Sequence, residues 1–111
     1  MTEDDFWELI ETARKECDGD IAEMRDWLIS ELAMKTIAEI REYYLIFEQL
    51  RYKAYNRELW SACVFINCGC NELGFFDWLN CIIAHGKKVF YEAIENPDSL
   101  ANIFTQENRY N

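Results

Sequence analysis

Trp60-Ser-Ala-Cys-Val-Phe-Ile-Asn-Cys-Gly-Cys70 is the stretch that decides the fold. It contains Val64-Phe-Ile66, which is compatible with a β-strand, inside an apolar run that ends at a glycine. No second β-branched run exists to pair with it, and a lone strand cannot satisfy its backbone. The stretch therefore reads as a helix from Leu59 to Ile66. It is apolar on nearly every side, is expected to be the most buried helix, and should stop where Gly69 adopts a positive φ. Trp60 is expected in the core.

The same reading extends in both directions. Thr2 followed by Asp5 is an N-cap with an acidic residue three positions on, and Phe6, Leu9, Ile10, Ala13 and Cys17 then fall on one helical face. Asp18-Gly19-Asp20 ends that helix, and Asp20 with Glu23 opens the next, whose apolar stripe is Ile21, Met24, Trp27, Leu28 and Leu32. Thr36 and Glu39 repeat the capping spacing for a third helix to about Ala54, with Ile37, Ile40, Tyr44, Phe47 and Leu50 facing inward. A turn at Asn56 leads to the 59–66 helix.

A second apolar helix follows from about Phe75 to His85, with Gly86 as its stop. Lys87 to Ile94 is a short helix. Asn96-Pro97-Asp98-Ser99 is a turn that caps a last short helix through Leu100 and Ile103. The expected architecture is all-α, a single compact bundle of five to six helices over residues 1–104, followed by a polar tail at 105–111.

Composition narrows the function. The chain has 111 residues, half of them hydrophobic and 15% aromatic, enough for one core. Its formal charge is −10, and residues 1–42 hold most of the excess. Such a field repels phosphate backbones and anionic lipid heads, so nucleic-acid and membrane binding are disfavoured and a basic protein partner is favoured. No apolar run is long enough to span a bilayer, and Met1-Thr-Glu-Asp-Asp5 is acidic where a secretory signal is basic. The expectation is a cytoplasmic protein whose five cysteines stay reduced.

Three constellations are candidates for chemistry. Cys68, Cys70, Cys81 and His85 are the ligand types of a structural zinc site, with Cys81 and His85 four apart on one helix. Against zinc stands the tight C-x-C spacing. Buried thiols are the preferred reading, and neither metal nor cofactor is expected. Trp60, Asn67, Cys70 and Glu72 surround the Cys68-Gly69-Cys70 turn and would line a small-ligand or enzyme pocket there. Trp7, Glu8, Glu11 and Tyr43, with Tyr52 and Tyr55, pair aromatics with acids as a protein interface would. The competing reading is that these aromatics wrap a small core. No glycine-rich phosphate loop, H-E-x-x-H or G-x-S-x-G is present, so no catalytic residue is assigned.

Phe6-Trp-Glu-Leu-Ile10, Leu59-Trp60-Ser-Ala62, Ile66-Asn-Cys-Gly-Cys70, Gly86 and Asn96-Pro-Asp-Ser-Leu100 carry a resemblance. In their order and spacing, from residue 2 to about 101, the chain resembles a bacterial domain family of unknown function, number 4240. The resemblance implies a small helical intracellular domain and no established activity. Members read Gly-Gly-Cys at the turn, then a Ser-Asp-Asp-like stretch, an Arg and a Trp. This chain has Cys68 for the first Gly, Asn71-Glu72-Leu73 for the polar stretch, Leu79 for the Arg and Cys81 for the Trp. His85 is also foreign to that pattern, which counts further against zinc.

Two functions from different classes remain. The first is a non-catalytic acidic interaction module, of the immunity or inhibitor type, that masks a basic partner. The second is a small-ligand binder or enzyme with its pocket at the cysteine turn. A homodimer through exposed aromatics is a third reading.

Overall fold

The computed structural model describes residues 1–66, 69 and 71–100. Six helices follow one another: α1 (Glu3–Glu16), α2 (Ile21–Ala33), α3 (Ile37–Lys53), α4 (Arg57–Ile66), α5 (Glu72–Ala84) and α6 (Lys87–Glu95). A 3₁₀ turn at Pro97–Leu100 comes last, and there is no strand among the described residues. The expected all-α bundle is the observed one. The tail at 105–111 and Ile103 lie outside the described residues.

Capping chemistry explains where the helices start. Asp5 N–H donates to Thr2 Oγ1 at 3.2 Å while Thr2 N–H donates to Asp5 Oδ2 at 2.8 Å, closing a reciprocal box. Thr36 and Glu39 form the same box on α3. Asp20 caps α2 through Glu23 N–H, Asn56 caps α4 through Leu59 N–H at 2.7 Å, and Asn71 caps α5 through Gly74 N–H. Gly69 has φ 120° and its N–H reaches Val64 O at 2.8 Å. Gly86, at φ 105°, separates α5 from α6 as expected.

α5 is the central helix. It buries Phe75, Trp78, Leu79, Ile82 and Ile83 and packs against α2, α3, α4 and α6. α1 packs on α2 and α3 and contributes Phe6, Trp7, Ile10 and Ala13 to the same core. The expected rank of the helices is thus corrected. α4 buries only Leu59 and Cys63, and its Phe65 is 87% exposed. An all-apolar run needs neighbours on every side, and among the described elements α4 packs mainly on α5 and the 3₁₀ turn. Trp60 is accordingly half-buried at the margin of the core, with its ring 4.6 Å from that of Phe75.

The register of α3 is also corrected. Its buried face is Tyr43, Ile46, Phe47, Leu50 and Ala54, whereas the expected Tyr44 is 60% and Ile37 77% exposed. Tyr43 is drawn in because its ring packs at a tilt against that of Phe6 of α1, centroids 5.0 Å apart. That places its neighbour Tyr44 a helical step away from α1. On α2 only Met24 is fully buried, and Ile21 lies at the surface.

Candidate functional site

α2 and α3 both rest on α1 and α5. Between them runs a groove of about 420 Å³. Met24, Leu28 and Ile29 form one wall, and Tyr43, Tyr44 and Phe47 form the other; Ile10, Asn80, Cys81 and Ile83 are at the floor. The lining is almost wholly apolar, and Ile29 and Tyr44, each 60% exposed, make an open apolar rim. Burial pushes the Tyr43 phenol up to about 12, so this hydroxyl stays neutral.

Glu48, Arg51 and Asn80 are polar members of the lining. Arg51 donates through Nη1 to Glu48 Oε1 at 2.7 Å, and its guanidinium sits 4.5 Å from the centre of the Phe76 ring. Those contacts fix the guanidinium plane, yet its buried Nε–H has no hydrogen-bond partner in the protein. Asn80 Oδ1 is likewise buried without a donor. A donor and an acceptor thus lie unpaired in the lining of one apolar groove, against the rule that buried polar atoms are satisfied.

The residues singled out in the sequence are dispersed. Trp60 lines a separate recess of about 290 Å³ with Tyr55, Asn56 and Arg57. Glu72 is exposed in the first turn of α5. Asn67, Cys68 and Cys70 lie outside the described residues, so the pocket expected at their turn is represented here only by Trp60 and Glu72. Cys81 is half-buried in the groove, and His85 Nδ1 donates to its carbonyl oxygen at 2.7 Å. Among the described residues no group of three or more His, Cys, Asp or Glu could hold a metal ion.

The expected aromatic interface is corrected at Trp7. That side chain is 4% exposed, packs edge-on against Phe6 and against Phe90, and donates Nε1–H to Glu3 Oε2 at 3.1 Å. The structural reason is α6, which covers the flank of α1 that periodicity left open. Tyr43 is half-buried and belongs to the groove wall. Glu8 and Glu11 are exposed on α1, and Tyr52 is 84% exposed. Sequence reasoning missed Arg51 and Asn80 altogether. A signal existed for the groove itself: α2 and α3 carry more apolar residues than one buried stripe uses, with Ile29, Ile37 and Leu45 in excess.

The family of proteins of unknown function DUF4240 matches the chain over residues 1–111, and the chain belongs to that family. No curated protein and no solved structure matches it.

Proposed function

We propose that this chain is a non-catalytic interaction module that seats the apolar face of a basic amphipathic helix from a protein partner in the α2–α3 groove. The observation that carries this reading is the groove itself: an open, apolar cleft between two splayed helices, rimmed by exposed Ile29 and Tyr44. Helices dock in such clefts through residues spaced three and four apart. The net charge of −10 favours a partner whose flanks carry Lys and Arg. An immunity or inhibitor protein that masks a basic target has this combination of features. The groove lining is mostly apolar, and its one carboxylate, Glu48, is paired with Arg51, a set suited to holding a partner. No described helix is long and apolar enough to cross a membrane.

The test is affinity capture from the source cell with three forms of the protein. Ile29→Glu places a charge in the groove, and Phe65→Glu places one on α4, remote from it. A protein retained by the native chain and by Phe65→Glu, lost with Ile29→Glu and released by salt supports the reading. Equal recovery with Ile29→Glu would sink it. The alternative, a small-ligand pocket at the cysteine turn, has in its favour the recess beside Trp60 and a larger one lined by Phe65 and Ile66 at the end of α4.

A further inference from the structure

α3 has an outer face that the fold leaves uncovered. Ile37, Tyr44, Leu45 and Tyr52 are each at least half exposed. Arg41 is exposed with them, and the Glu48 side chain is 41% exposed. Steps of three and four residues put these six positions on one stripe of the 17-residue helix. The intervals between them are four, three, one, three and four residues, so the stripe reads alike from either end. Of the six, only Tyr44 and Glu48 also line the α2–α3 groove.

The charges on the stripe are placed with the same symmetry. A two-fold axis through the midpoint between Tyr44 and Leu45 sets each position opposite its mirror image on a second copy. Ile37 then faces Tyr52, Tyr44 faces Leu45, and Arg41 faces Glu48, each contact occurring twice. No carboxylate among the described residues is in ion-pair contact with Arg41. Glu48 meets Arg51 through Oε1, and its partly exposed carboxylate can accept more than one hydrogen bond. A parallel pair in register would instead set Arg41 against Arg41 and Glu48 against Glu48, which like charge disfavours.

We infer that this face of α3 pairs with the same face of a second copy, the two helices antiparallel, in a two-fold dimer. The inference goes beyond the groove reading and does not depend on it. One pair of 17-residue helices gives a contact only about 25 Å long, at the small end of specific interfaces. The dimer is therefore weak, with a Kd of about 100 µM.

Sedimentation equilibrium of the full chain from about 10 µM to 1 mM tests it. About 150 mM salt is used, because each copy carries −10 and that salt screens charges more than about 8 Å apart. Arg41→Glu should weaken the dimer about 10-fold, since it sets acid against acid twice. Glu48→Arg should weaken it similarly, although it lowers the net negative charge. Mixed in equal amounts, these two variants should associate again at near-native strength, because in the mixed pair every acid faces a base. Arg41 and Glu48 lie about 10 Å apart along their own helix, so this rescue arises only between copies. Ile37→Lys mixed with Tyr52→Asp repeats the logic at the ends of the stripe, away from Arg51. Phe65→Glu, on α4, should leave the Kd unchanged. A chain still monomeric at 1 mM, a dimer indifferent to Arg41→Glu, or no recovery in either mixture would overturn the inference. So would loss of the dimer in Phe65→Glu, which would place the contact on α4.

Discussion

The Tyr91 hydroxyl donates a 2.7 Å hydrogen bond to Glu3 Oε2, joining α6 to the first turn of α1 across 88 residues of chain. Glu3 also accepts from Trp7 Nε1, so one carboxylate organises two aromatic side chains. The Tyr91 bond, aided by the Trp7 bond, holds the Glu3 carboxyl below its ordinary value. Burial, then the bond to Glu3, pushes the Tyr91 phenol up to about 12.

These shifts set a pH window. Glu3 has a lowered folded value, so its contribution is present above the ordinary carboxylate range and is lost as pH falls through the folded value. Tyr91 has a raised folded value, so its contribution is complete below 10 and is lost as pH rises toward about 12. Tm measured against pH should show both shoulders. Tyr91→Phe should lower stability by about 1 kcal/mol at neutral pH, remove the alkaline shoulder contributed by this phenol and reduce the acid one. An unchanged profile would mean that the hydrogen bond is not formed in solution.

Gly86 is required twice over. Its φ of 105° suits glycine, and a Cβ there would stand 2.5 Å from Glu11 Oε1. Gly86→Ala should destabilise by about 1–3 kcal/mol. Because the Glu11 side chain can move, Glu11→Ala in the same protein should recover only the steric part. Full recovery in the double variant, measured by denaturant unfolding, would show that the backbone strain is negligible.

Trp7 and Trp60 separate the core from its margin. Trp7→Ala should cost about 3–5 kcal/mol, the usual loss for a fully buried ring. Trp60→Ala should cost less, below about 3 kcal/mol, because part of that side chain already faces solvent. Urea unfolding of the two variants gives the order directly. The reverse order would place the core centre at α4 rather than at α1 and α5.

Zinc is expected in well under stoichiometric amount in purified protein, and a chelator should leave Tm unchanged. The reason is that a chain of this length buries enough apolar surface to fold without metal. Elemental analysis showing stoichiometric zinc, with a chelator-induced fall in Tm, would make Cys68, Cys70, Cys81 and His85 the site.

Much of this protein is local and was therefore legible. Thr2, Asp20 and Thr36 accept from amides three residues on, so the helix starts at 3, 21 and 37 follow from neighbours in the chain, whereas α5 starts at Glu72 under an Asn71 cap, ahead of the Phe75 that its apolar pattern suggested. The ends at Gly19 and Gly86 follow from backbone conformations that glycine adopts readily. The helical class and the family resemblance were equally open to reading.

Tertiary packing decided what periodicity left ambiguous. An amphipathic helix specifies an apolar face, but which edge of that face is covered depends on the neighbour. Phe6 selected Tyr43 over Tyr44, and α6 closed over Trp7. The groove exists because α2 and α3 both lean on α1 and α5. Arg51 and Asn80 both line it from helices far apart in sequence, and no spacing rule links them. Helix ends are short-range hydrogen-bond chemistry written in adjacent residues; a binding site assembled across helices is long-range geometry, which only the folded chain supplies.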